Sequence, residues 1–270
     1  VKYLKIIFDF YINSSLHVAL SVYALLRITE FYFDLPYNET LNYFIFYGTI
    51  TGYNFVKYAG IAKLHHMSLT KNLRLIQIFS LLCFLMMCFY LTLLNIKVLL
   101  YFIPFSLLTF FYAVPVLKGV TKNLRNIGTL KIFVIALVWS GVTALIPLAS
   151  KYKLGVHEVL FSVQRFLFVV VLTLPFDIRD MRYDKKYLQT IPQIIGVERA
   201  KKFGSILLLI TVVIEFFITP NSSLKFGFMI VFFTLLLFLQ KAKTKQSKYY
   251  ASFWIEGIPI FWFLLLSLMK

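Results

Sequence analysis

Three aspartates, Asp177, Asp180 and Asp184, stand within the stretch 175–196, PFDIRDMRYDKKYLQTIPQIIG. On a helix they fall at i, i+3 and i+7, inside roughly a 60° arc and about 10 Å of axis. Arg179, Arg182, Lys185 and Lys186 interleave with them. Carboxylates sharing one face repel unless something positive lies between them. The stretch is then either a charged connecting loop, its acids neutralised by neighbouring cations, or a divalent-metal site. Mg2+ suits the second reading: it takes one or two carboxylates and completes its octahedron with water and phosphate oxygens.

The elements that must position these acids are apolar. Hydrophobic residues make up 60% of the 270 and charged ones 14%, with mean hydropathy +0.81, which excludes an ordinary soluble domain. Apolar runs long enough to cross a bilayer recur along the whole chain. They predict nine spans, at about 8–28, 41–62, 75–94, 98–117, 131–149, 158–176, 204–219, 224–240 and 252–269. The expected fold is an all-α, polytopic membrane bundle around a central cavity, one domain over 1–270. The first run carries Asp9, Asn13 and His17 and lacks a small-residue cleavage site, so no cleavable signal is expected. Cys83 and Cys88 lie five apart on one predicted helix and face different ways, so no disulfide framework is expected.

A net charge of +17 could serve nucleic acid, but its distribution points to a membrane. Twenty Lys and Arg fall in one alternate set of loops, which includes 177–202, and six in the other. By the positive-inside rule, the N-terminus and the aspartate loop are cytoplasmic and the C-terminus is outside. A multi-pass protein, of a bacterial inner membrane for instance, is the expectation.

The FDIRD core, then Asp184, the Lys185–Lys186 pair, Thr190-x-Pro192 and Gly196, resembles the second aspartate motif of the UbiA superfamily of intramembrane prenyltransferases. The likeness runs about thirty residues, through Val197-Glu198-Arg199-Ala200. It implies nine helices, with diphosphate-binding motifs at the cytoplasmic ends of the second and sixth spans. By that likeness, Asp177, Asp180 and Asp184 hold Mg2+ and an isoprenoid diphosphate, assisted by Arg179 and Lys185. The first motif is degenerate: in Gly52-Tyr53-Asn54-Phe55-Val56-Lys57-Tyr58 only Asn54 matches, and Phe55, Tyr58 and Ala62 stand where carboxylates belong.

Lys57 lies one turn from Asn54 on the same face. It either snorkels to the interface or serves as a fixed charge in place of a metal, with Asn54 and Lys57 contacting diphosphate. After the fourth span, Tyr112 and Lys118 resemble a family tyrosine and a diphosphate-holding lysine, and Lys122, Arg125 and Lys131 follow. Lys118 and Lys57 are the expected catalytic cations; Lys122 and Arg125 are expected on the diphosphate. His65 and His66 are adjacent and do not converge on one ligand. Arg165 and Glu215 lie deep in spans and are expected to form a structural pair. Asp9 and Glu256 lie near span ends and could snorkel.

The resemblance implies transfer of an isoprenoid group from an allylic diphosphate to a hydrophobic acceptor, aromatic or a quinone precursor. Membrane lipids are the other expected partners. Lysines and Mg2+ would stabilise the leaving group, and aromatic faces the cation. Two alternatives stay open: a catalytically impaired member that binds a polyprenyl or quinone-like lipid, and a transporter or scaffold.

Overall fold

A computed structural model describes residues 2–58, 71–114, 128–151, 154–182 and 189–269, and all regular structure among them is helical. In chain order the elements are α1 (Lys2–Asn13), α2 (Leu16–Tyr32), α3 (Glu39–Tyr58), α4 (Lys71–Leu93) and α5 (Ile96–Ala113). Next come α6 (Gly128–Ser140), a π-helical turn (Gly141–Leu145), α7 (Ile146–Ala149) and α8 (Val156–Asp180). Then follow α9 (Ile191–Ile195), α10 (Val197–Ile218), α11 (Ser222–Lys241), a second π-helical turn (Tyr250–Ile255) and α12 (Ile258–Met269). Over its described residues, each expected span overlaps one or more of these helices. Among the described residues, six helical runs are long and apolar enough to cross a bilayer, or seven if α1 and α2, bent by 55°, count as one. The exceptions, α3 and α10, carry extra polar and charged residues such as Asn54, Lys57, Lys201 and Glu215.

Helices α6–α7 and α8 form the centre: 61% and 56% of their most apolar windows are buried, against 11% for α4 and 17% for α5. The main core joins α2, α6, α8, α11 and α12 through Leu25, Ile132, Val170, Leu172, Phe228 and Trp262. In lipid, helices associate by close packing, so small residues mark the tightest approaches. A Cβ on Gly204 would sit 2.7 Å from both Leu174 and Leu239, so that glycine lets α10 meet α8 and α11. After α8, the Thr190 N–H donates to Gln193 Oε1 (3.1 Å) and Pro192 opens α9. Gly196, at φ 84°, turns the chain from α9 into α10. That accounts physically for the Thr-x-Pro and glycine of the motif.

The deep charges are not arranged as a direct pair. Glu215 accepts from Tyr32 (2.8 Å) and Gln164 (2.6 Å), whereas Arg165 donates to the Leu25 carbonyl (2.7 Å). The guanidinium lies 4.9 Å from the Phe161 ring centroid and 5.4 Å from that of Trp262. Two aromatic faces and a carbonyl therefore take the place of the expected ion pair, and Glu215 shares the buried cluster without touching Arg165. Asp9 does not snorkel alone either: Lys248 and Tyr249 both donate to it, which ties α1 to the approach to the last helix.

Candidate functional site

The first residues of α2, α6 and the last helical run gather at the same end of the bundle as the last residues of α3 and α8. Asp177 and Asp180 close α8, one turn apart, and Asp177 is 1% exposed. Lys131, on the first turn of α6, reaches across: its Nζ lies 3.0 Å from Asp177 Oδ1 and 3.9 Å from Asp180 Oδ2. Arg179 Nε donates to Asp180 Oδ1 at 2.7 Å, its guanidinium 5.3 Å from the Phe176 ring centroid. Both halves sit at the electrostatically wrong helix ends, acids at a C-terminus and a lysine at an N-terminus. Each helix disfavours its own charge by about 0.3–1 kcal/mol, and the other helix compensates. The result is a compact group of two acids and two cations, half-buried apart from Asp177.

Asn54 and Lys57 meet on α2. Ser15, which starts it, adopts a left-handed backbone (φ 65°) that a non-glycine residue enters at some cost. Its hydroxyl donates to Asn54 Oδ1 (2.8 Å) and accepts from Lys57 Nζ (2.9 Å). The Asn54 amide also donates to the Ser14 carbonyl (3.0 Å) and Ser80 Oγ (2.6 Å). With both amide protons engaged inside the protein, Asn54 braces α3 against α1–α2 and α4, and its donors are not free for a diphosphate. Lys57 is exposed, and its ammonium lies within Coulombic reach of Glu256 on the last helical run. Glu256 in turn lies within reach of Arg179, which links the α3 side of the space to the aspartate side.

An aromatic wall lies between them. Trp139 Nε1 donates to the Tyr53 hydroxyl (2.9 Å), and Tyr112, buried at the end of α5, is within electrostatic reach of Tyr53 and Lys131. A separate apolar cleft of about 280 Å³ between α3 and α4, lined by Thr51, Phe55, Tyr58, Ile76 and Leu81, opens on the outer side of Asn54.

The structure thus brings together Asp177, Asp180 and Arg179, while Lys57 bonds Ser15 and lies within Coulombic reach of Glu256. Asp184, Lys185, Lys186, Lys118, Lys122, Arg125, His65 and His66 lie outside the described residues. Among those that are described, no three His, Cys, Asp or Glu converge as a metal cluster. Sequence reasoning missed two residues. Lys131 was counted as a loop charge, and the available signal was its place as the first cation of a span. Glu256 was read as a snorkelling residue, and the available signal was the glycine and proline after it, which break the helix where it turns inward.

No family model and no curated protein sequence matches the chain. Solved structures do. A digeranylgeranylglyceryl phosphate synthase superposes with TM-score 0.59 at 13% identity, covering 100% of both chains. A UbiA homologue from Archaeoglobus fulgidus superposes with TM-score 0.54 at 12% identity, covering 98% of both. At such identities the likeness is one of fold, and it extends from end to end.

Proposed function

We propose that the protein, which has the fold of the UbiA superfamily, transfers an isoprenoid group from an allylic diphosphate to a hydrophobic acceptor. One observation carries the reading: Lys131, Asp177, Asp180 and Arg179 converge at the helix end where the motif resemblance calls for a diphosphate site.

The donor set fits Mg2+. Asp177 and Asp180 offer carboxylate oxygens one turn apart, and this ion needs only one or two such ligands beside phosphate oxygens. Both acids already neighbour cations, so a bare divalent ion gains little there. The diphosphate brings the missing negative charge, and the two are expected to bind together. When bound, the ion supplies Lewis-acid stabilisation of the leaving diphosphate. The chain's own residues do the rest. Lys131 and Arg179 hold positive charge against the developing diphosphate, and Lys57 adds one charge from α3 where the family places acids. Tyr53 and Trp139 are the aromatic groups proposed to stabilise the allylic carbon, and the apolar bundle to keep water from it. Asp184, Lys118, Lys122, Arg125 and Lys185 complete the set by the resemblance. Asn54 acts here as the brace that fixes Ser15, and through it Lys57.

Binding of an allylic diphosphate analogue to purified protein tests this. Asp180→Asn keeps size but removes charge, so affinity should fall at least tenfold while the fold survives. Unchanged affinity and unchanged Mg2+ dependence would overturn the site. A second reading, a lipid binder without turnover, is favoured by the absence of carboxylates from the end of α3. Pyrophosphate release from the diphosphate with Mg2+ present separates the two.

A further inference from the structure

Glu256 is used by nothing described so far. It follows the π-helical turn Tyr250–Ile255, an irregularity that recurs at functional sites. The turn is pinned from α2: the Ser21 hydroxyl donates to the Glu256 carbonyl, and His17 Nε2 bonds the Phe253 carbonyl at 2.9 Å. Gly257 packs so tightly that a Cβ there would lie 2.7 Å from the Phe253 carbonyl and 3.2 Å from His17. The backbone at Glu256 is therefore fixed.

Its side chain is not. Among the described acids that are not open to solvent, Asp9, Glu30, Glu158, Asp177, Asp180 and Glu215 each have a hydrogen-bond or ion-pair partner. The Glu256 carboxylate forms neither with any described residue, although it is half-buried. The charges and phenols around it are Tyr11 on α1, Tyr53 and Lys57 on α3, and Arg179 on α8. Two cations lie within Coulombic reach, yet no ion pair closes. The nearby cations also make Glu256 a poor extra metal ligand.

Resting on the proposed prenyl transfer, we infer that Glu256 is the base that takes the acceptor's proton. The allylic C–O bond breaks with its electron pair leaving on the diphosphate. A lone pair of an acceptor hydroxyl, or a π pair of an electron-rich ring, forms the new C–O or C–C bond. The proton that the acceptor must lose passes to the Glu256 carboxylate and from there to solvent. Asp177 and Asp180 are unsuited to this: each is already ion-paired, and they belong to the leaving-group side of the site.

The test compares wild type, Glu256→Gln and Glu256→Asp in detergent with Mg2+. One readout is binding of geranylgeranyl thiolodiphosphate. The other is transfer from geranylgeranyl diphosphate to two probes, a glycerol phosphate ether lipid with a free hydroxyl and a simple phenol, across pH. Glu256→Gln should bind the thio analogue as tightly as wild type or more tightly, because a negative charge near Lys57 and Arg179 is gone. Its product formation should fall about a hundredfold or more, the scale of lost general-base catalysis, and the acid limb of its pH profile should vanish. Glu256→Asp should recover part of the rate and keep the acid limb. Product at the wild-type rate and pH profile in Glu256→Gln overturns the inference and passes the role to the departing diphosphate. A wild type that binds the analogue but prenylates neither probe also overturns it and leaves the donor site standing. A wild type that binds no analogue removes the underlying reading with it.

Discussion

Lys131 and Asp177 are each costly where they lie, and each makes the other tolerable. Asp177 is 1% exposed with Lys131 Nζ at 3.0 Å, so removing the lysine leaves a buried carboxylate short of its main counter-charge. Breaking such a pair from one side costs about 3 kcal/mol, because the surviving charge stays desolvated. Lys131→Met is therefore expected to lower the unfolding midpoint in detergent, and adding Asp177→Asn should restore much of it. Equal, additive losses in that double-mutant cycle would show that the two do not interact. Lys57 is bound by a different logic, since among the described residues its hydrogen bond is to Ser15 and it closes no ion pair. Lys57→Met should weaken binding of an allylic diphosphate by about 1–3 kcal/mol, the scale of a charge-assisted hydrogen bond, with little loss of stability. Unchanged affinity would mean that Lys57 only holds Ser15. At this scale the acids were legible in the sequence because their spacing is local. Lys131 was not, because its partner is 46 positions away and a linear pattern does not say which helices are neighbours. Asn54 was legible as a position but not as a role: only the fold reveals that Ser14, Ser15 and Ser80 surround its amide.

The elements themselves were easier to read, since crossing a bilayer imposes a length and an apolarity that a sequence displays directly. Where the chain departs from that pattern, the reason is internal. Helices α3 and α10 carry polar groups that the bundle, rather than lipid, satisfies. The π-helical turns were not legible, because a one-residue irregularity leaves no trace in hydropathy. The first holds a close steric contact that can be tested. A Cβ on Gly141 would lie 2.0 Å from Phe105 Cε1, so the ring of α5 fills the place where a side chain would be. Gly141→Ala must push back an aromatic ring of the core, and overpacking of this kind costs about 1–3 kcal/mol. The expected outcome is a lower unfolding midpoint that Phe105→Leu partly rescues. A neutral Gly141→Ala would show that α5 is free to move outward into lipid.

Over the whole molecule, charge and site agree on one end. Asp177, Asp180, Lys131, Lys57 and Glu256 gather where α2, α6 and the last helical run begin and where α3 and α8 end. That is the end carrying the twenty-cation set of loops, against six at the other. A diphosphate is a doubly or triply charged headgroup made in water, so its site must open to the compartment that supplies it. By the positive-inside rule this end is expected to be the cytoplasmic one. Ser247, in the loop between α11 and the last helical run, and Ser223, on the first turn of α11, report the two sides. Cys83 and Cys88 lie within α4 and would first be replaced by alanine to clear the background. In right-side-out vesicles, a membrane-impermeant maleimide should then label Ser223→Cys at once and Ser247→Cys only after permeabilisation. The reverse pattern would put the site outside, where the twenty-cation end contradicts the rule, and the donor would have to come from the far side of the membrane. Labelling of both variants without permeabilisation would mean that the site end is reached through the bundle. The cavity would then be an aqueous passage, which favours the transporter over the transferase.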